Sequence, residues 1–176
     1  MKSVVSRLSD FAYKAYMTVC VTLITLVVCG VCFGYGISTF MVSGKSMEPT
    51  IGNGQIIVAY HYPGQKYKPG DIVSVTNKYG ALDEVTSNKN EAVLKRVIAV
   101  EGDTVRVEKG YIYVNGLQDT SFPYRPNDYY SMTEFEVTLK EGEYFVAGDN
   151  RNHSVDSRAF GVVTKKDIDN KLFIFF

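Results

Sequence analysis

A mostly β domain behind a single N-terminal membrane-spanning helix is the fold class this sequence predicts. Two observations carry it. One is an uncharged stretch of thirty residues between Lys14 and Lys45. The other is a series of short β-branched and aromatic runs from Gln55 onward, punctuated by Gly, Pro, Asn and Asp. A third observation sharpens the prediction: no long amphipathic helical period follows residue 45.

The chain has 176 residues, enough for one ordinary domain plus an anchor. It is 45% hydrophobic and 22% charged, which excludes a disordered or collagen-like chain. Lys plus Arg and Asp plus Glu are both 19, and this balance argues against a nucleic-acid partner, which would favour a basic excess.

About 20 apolar residues cross a bilayer core, so a helix over roughly Tyr16 to Ile37 would span it. A cleaved signal peptide has an apolar region of only about 7–15 residues and a small-residue cleavage site. This run is longer and passes through Gly34, Tyr35 and Gly36 instead. Lys2, Arg7 and Lys14 precede it against one acid, Asp10. A short basic flank stays in the cytoplasm, which places the rest on the outer face of the cell membrane. The predicted organisation is a cytoplasmic basic N-terminus over 1–14, an anchor over 15–38 in contact with the lipid bilayer, and an extracytoplasmic β-rich domain over 39–176. Cys20, Cys29 and Cys32 all fall inside the anchor, so the outer domain is expected to fold without disulfides.

Seven strands are predicted in that domain: Gln55–Tyr60, Asp71–Thr76, Val93–Val100, Thr104–Val107, Tyr111–Val114, Glu136–Leu139 and Tyr144–Ala147. Lys109-Gly110 reads as a tight hairpin and Asn115-Gly116 as the next turn. Such spacing implies a sandwich or barrel-like body. Asn77 to Glu91 and Gln118 to Thr133 read as exposed loops or a small cap, and Leu172 to Phe176 as a closing core strand.

Much familiar chemistry is missing. With only His61 and His153, and no Cys or His cluster at ligand spacing, neither a metal nor a cofactor is expected. There is no Walker-type loop, no G-x-S-x-G elbow and no S-x-x-K pair. Three elements remain. Ser43-Gly44-Lys45-Ser46-Met47-Glu48-Pro49-Thr50 follows the anchor, its glycine and proline bending the backbone around Ser46. Val93-Leu94-Lys95-Arg96-Val97-Ile98 sets a lysine in an apolar strand, where Lys is rare unless paired or used. An edge-strand gatekeeper facing solvent is the alternative reading of Lys95. Gly148-Asp149-Asn150-Arg151-Asn152-His153-Ser154-Val155-Asp156-Ser157-Arg158 concentrates charges and hydroxyls directly after a strand, as a hydrogen-bonded turn network or a plain polar loop would.

Together these segments, in this order, resemble the bacterial type I signal peptidases, in their small Gram-positive form. Gly102-Asp103, the N-terminal anchor and the outer domain agree, and the likeness covers nearly the whole chain. The resemblance implies an all-β signal-peptidase-like catalytic domain with a small cap. It implies a membrane-anchored serine endopeptidase, a hydrolase that removes signal peptides from exported preproteins by a Ser-Lys dyad. Ser46 would be the nucleophile and Lys95 its general base, Ser154 would orient Lys95, and Met47 would pack beside the substrate. Asp149, Asp156 and Arg158 would form a supporting ion-pair network assisted by Arg151. Free lysine titrates near ~10.4, so a lysine base must come down by roughly 2–3 pH units, and burial is the available cause. Two positions depart from the family pattern. Gly44 stands where an alternative form of the family has a hydroxyl residue, leaving the oxyanion to backbone N–H groups, chiefly that of Ser46. Asn53-Gly54-Gln55 replaces the usual Gly-Asp.

An accessory or dedicated peptidase for pilin subunits stays open on these residues. A self-cleaving repressor-type Ser-Lys protease shares Ser-Gly-x-Ser-Met, but the anchor, Pro49-Thr50 and the 148–158 motif speak against it.

Overall fold

The computed structural model describes residues 2–34, 36–62, 64–76, 92–124 and 134–175. It divides into two compact units, Met1–Ile37 and Ser38–Phe176. The first is a helix, α1 (Lys2–Gly34). Its apolar part, Ser9–Val31, is 23 residues long and would cover about 35 Å, enough for a bilayer core of about 30 Å. Thr18, Thr22 and Thr25 turn their hydroxyls onto the carbonyls of Lys14, Thr18 and Val21, so these polar groups are satisfied within the helix. The helix starts earlier than the sequence suggests and ends before Ile37. The length and composition of α1 fit a membrane anchor.

The second unit is mostly β: β1 (Ser38–Met41), β2 (Ile56–Tyr60), β3 (Ile72–Thr76), β4 (Ala92–Ala99), β5 (Thr104–Glu108), β6 (Tyr111–Val114), β7 (Leu117–Gln118), β8 (Phe135–Thr138), β9 (Glu143–Ala147), α2 (Ser157–Phe160), β10 (Val163–Thr164) and β11 (Ile168–Phe175). They form a seven-stranded sheet in the order β1-β2-β11-β3-β4-β9-β10 and a four-stranded sheet in the order β7-β6-β5-β8. All seven strands read from the sequence are present, with ends shifted by one residue at most. Both predicted turns take positive φ at their two central residues, Lys109-Gly110 and Asn115-Gly116, as tight hairpins with this twist require. The expected excursion over 77–91 lies outside the described residues, as do positions 125–133 of the second one.

Period-2 burial builds the core. In β5, Val105 and Val107 are buried while Thr104, Arg106 and Glu108 are partly exposed. Val105, Val107 and Ile112 of the small sheet pack with Ala99, Leu139, Phe145 and Ala147. Val73, Val75, Val97, Val146 and Ile168 form a second cluster with Tyr67 and Tyr144. β9 feeds both clusters from its alternate faces, so four of its five residues are buried. A register shift between Val97 and Ala99 lets β4 change clusters along its length. A third cluster gathers Met47, Ile51, Ile57 and Ile72, with Val42, Leu94 and Leu172 against them.

Candidate active site

Ser46 sits in the loop between β1 and β2, which is fastened at its ends by Val42 N–H to Gln55 O (2.9 Å) and Gly54 N–H to Val42 O (2.8 Å). Gly44 has φ +104°, a conformation that glycine adopts without strain. Its N–H donates to Asn53 Oδ1 at 3.0 Å. On the far side, Asn150 holds the same loop twice. Its backbone N–H donates to Ser46 O and its Nδ2 to Lys45 O, both at 3.0 Å. Two asparagines thus fix the carbonyls and amides that flank Ser46, and the Asn53 that departs from the family pattern has a definite task. Met47 turns inward beside Ser46 and is buried in the third apolar cluster.

Lys95 lies in the middle of β4, opposite Val73 of β3. Strand alternation places it in one row with Val93 and Val97, and only 3% of it is exposed. Its Nζ donates to Ser46 Oγ at 3.2 Å. The solvent-facing alternative for Lys95 is therefore excluded. A hydroxyl against a buried amine is an arrangement in which the amine, when neutral, can take the hydroxyl proton.

The turn from Gly148 to Arg158 backs this pair. A Cβ on Gly148 would lie 2.3 Å from Ser154 Oγ and 2.5 Å from Ser46 O, so only glycine fits there. Gly148 N–H donates to Asp156 Oδ2 at 3.0 Å. Asp156 also takes Arg158 Nε (2.8 Å) and NH2 (2.9 Å), and both side chains are fully buried. Burial pushes the Asp156 carboxyl up, but the Arg158 charge and hydrogen bonds, the Gly148 N–H and the nearby Lys95 outweigh it, so the carboxyl stays below its usual range. Asp156 also caps α2 by accepting from Arg158 N–H, and Ser157 Oγ accepts from Val146 N–H.

The ion-pair network differs from the expectation in its partners. Asp149 pairs with Arg96, which grips it through Nε (2.8 Å) and NH2 (2.6 Å) and reaches Gly70 O at 2.7 Å. Arg151 pairs with Asp119 at 2.8 Å and donates through Nε to Gly148 O at 2.9 Å. For Asp119, burial raises the carboxyl, but the Ser121 hydroxyl and N–H, with Arg151, bring it below its usual range. Arg96 and Asp119 were missed. Arg96 carried a readable signal, being a charge among Leu94, Ile98 and other apolar strand residues. Ser154 is a correction: it is buried, but its Oγ makes no hydrogen bond among the described residues, to Lys95 or to anything else. It packs against Gly148 instead, so in this geometry it orients the turn by contact. His153 is exposed. No group of three His, Cys, Asp or Glu suited to a metal ion exists among the described residues.

Residues 14–176 match the family model described as signal peptidase, peptidase S26. A signal peptidase I from Bacillus licheniformis is 35% identical over 151 residues, which cover 78% of this chain and 75% of that protein. A probable signal peptidase I-2 from Synechocystis is 35% identical over 164 residues, covering 88% of this chain and 70% of that protein. A solved signal peptidase I from Enterococcus faecalis V583 is 26% identical, with a TM-score of 0.44, and covers 62% of this chain and 98% of that one. The chain belongs to the signal peptidase family S26. It is a serine peptidase, a hydrolase that removes signal peptides.

Proposed function

We propose that Ser46 is the nucleophile and Lys95 the general base of this peptidase, and that its substrates are exported preproteins whose signal peptides still lie in the membrane. The observation that carries this is the 3.2 Å contact between Lys95 Nζ and Ser46 Oγ, with Lys95 buried.

In this reading the Ser46 hydroxyl attacks the scissile carbonyl as its proton passes to neutral Lys95. The Ser46 N–H donates to the oxyanion that forms. Gly44 supplies conformation to the loop rather than a donor, because its N–H is held by Asn53. Lys95 then gives the proton to the departing amine as the peptide C–N bond breaks, leaving an ester on Ser46. A water attacks that ester as Lys95 takes its proton, and Lys95 returns the proton to Ser46 Oγ as the ester C–O bond breaks and the signal peptide leaves as the acid. Burial beside Val93 and Val97 is the available cause for a neutral amine, because desolvation disfavours the ammonium. Asp149, Asp156, Arg158 and Ser154 keep the backing turn in place, and Met47 shapes the apolar floor under the substrate.

The basic flank before the anchor supports a topology with residues 1–14 in the cytoplasm, an anchor over 15–38 and the β domain outside the membrane, with Ser46 nine residues along the chain from Ile37. The pilin-assembly alternative gains no support from the family match or the relatives.

The test is cleavage of a preprotein with an Ala-x-Ala site by the full chain in detergent. Ser46→Ala and Lys95→Ala should each lose cleavage while keeping the wild-type thermal melt. A Lys95→Ala chain that retains most of its rate would remove Lys95 from the base role.

A further inference from the structure

The segment that follows β7, from Asp119 to Tyr124, lands on three arginines. Asp119 accepts from Arg151 NH2 at 2.8 Å. The Phe122 ring has Arg96 Cζ at 5.2 Å and Arg151 Cζ at 5.7 Å from its centroid. The Tyr124 ring has Arg158 Cζ at 5.3 Å and stands edge-on to Tyr111 at 5.2 Å. Each of these guanidinium groups also holds the turn behind Ser46: Arg96 through Asp149, Arg151 through Gly148 O, and Arg158 through Asp156. Asn150 N–H in turn donates to the Ser46 carbonyl, and Gly148 leaves no room for a Cβ beside it.

We infer that Asp119–Tyr124 is a clamp that sets Ser46 against Lys95, with Phe122 as its positioning residue, acting through Arg96 and Arg151. The inference rests on the reading of Ser46 and Lys95 as the reacting pair. An aromatic face attracts a guanidinium through its quadrupole, so one ring within reach of two guanidinium groups restrains both. Arg96 is the residue after Lys95 on β4, and Arg151 is the residue after Asn150. Phe122 therefore links the strand that carries the amine to the turn whose Asn150 holds the loop that carries the hydroxyl. None of its atoms needs to touch substrate for this. A leucine would fill much of its volume without the quadrupole, whereas a tyrosine would keep it.

The experiment measures kcat, KM and Tm for the full chain in detergent, for wild type, Phe122→Leu, Phe122→Tyr and Ser46→Ala, on one preprotein. Phe122→Leu should lower kcat about tenfold with KM changed by less than about twofold, since misplacing a reacting group by about 1 Å can cost a hundredfold. Phe122→Tyr should recover the wild-type kcat, and Tm should stay near wild type in both. Wild-type kcat in Phe122→Leu, or a loss that Phe122→Tyr does not recover, overturns the clamp. If Phe122→Leu does not fold, Asp119→Asn replaces it: a loss confined to kcat supports the clamp and an unchanged kcat overturns it. An active Ser46→Ala would instead overturn the reading of the site, whereas an inactive Ser46→Ala beside a normal Phe122→Leu would defeat the clamp alone.

Discussion

Gly148 has no room for a side chain. Ser154 Oγ and Ser46 O would lie 2.3 and 2.5 Å from a Cβ placed there. Gly148→Ala should cost about 1–3 kcal/mol, as overpacking does elsewhere, and should lower the cleavage rate by pushing the Ser46 carbonyl away from Asn150. A thermal melt and a rate on the same preparation check it, and an alanine variant with both unchanged would show that the turn can give. The residues alone singled out Ser46, a hydroxyl in a bent loop, and Lys95, an amine in an apolar strand, but left both open; what joined them as a pair was the resemblance to the signal peptidases. The partners of Asp149 and Arg151 were not legible in the sequence, because Arg96 and Asp119 lie 53 and 32 residues away along the chain. Nor could the sequence reveal that Ser154 meets Gly148 by packing, since the hydrogen bond expected of it came from the family resemblance alone.

At the scale of elements, alternation and turn residues located seven strands; β7 and β10, two residues each, are too short to show a period, and β1 and β11 escaped in whole or part for separate reasons. β1 (Ser38–Met41) continues the long uncharged run and carries no break that would separate it from the anchor. β11 begins with Ile168 followed by Asp169, Asn170 and Lys171, which hide the strand pattern. Their polar groups are answered across the sheet, Thr76 donating to Asp169 at 2.5 Å and Lys171 pairing with Asp71 at 2.8 Å. The β6–β7 turn offers a test of an element on its own. Asn115 has φ +51° and ties the hairpin to β5, its Oδ1 accepting Thr104 N–H at 2.9 Å and its Nδ2 donating to Asp103 at 2.8 Å. Asn115→Ala removes both bonds and keeps a strained φ, so it should lower stability by about 1–3 kcal/mol. Asn115→Gly should lose less, because glycine adopts that φ freely. Equal melts for the two variants would mean that φ contributes nothing at this position.

For the whole molecule, two buried groups bound the pH range of stability. Asp156 is held below the usual carboxylate range, so its contribution is complete above about pH 4 and is lost as pH falls below that. Tyr67 is buried in the second cluster, with Val73, Val75 and Val97, and burial pushes its hydroxyl up to about 12. A raised phenol favours the neutral folded form, so its contribution is present below about pH 10 and drains away as pH climbs towards 12. Melting temperature against pH should form a plateau between these limits, and Tyr67→Phe should flatten its alkaline edge. An alkaline edge unchanged in Tyr67→Phe would assign it to other groups. The order of strands across the large sheet was beyond reach of the sequence, because periodicity says which residues face inward and nothing about which strand lies beside which.

That order has a consequence for when the protein becomes active. The last described strand, β11, lies between β2 and β3, in the interior of the sheet. The loop with Ser46 belongs to the β1–β2 side of that seam, and Lys95 on β4 belongs to the other. A ribosome delivers β11 only after the other described strands have emerged, and until then no strand pairing among the described residues joins the β1–β2 pair to β3 and its neighbours. Each copy is therefore born with its hydroxyl and amine on separate pieces, and synthesis of β11 is the event that joins them.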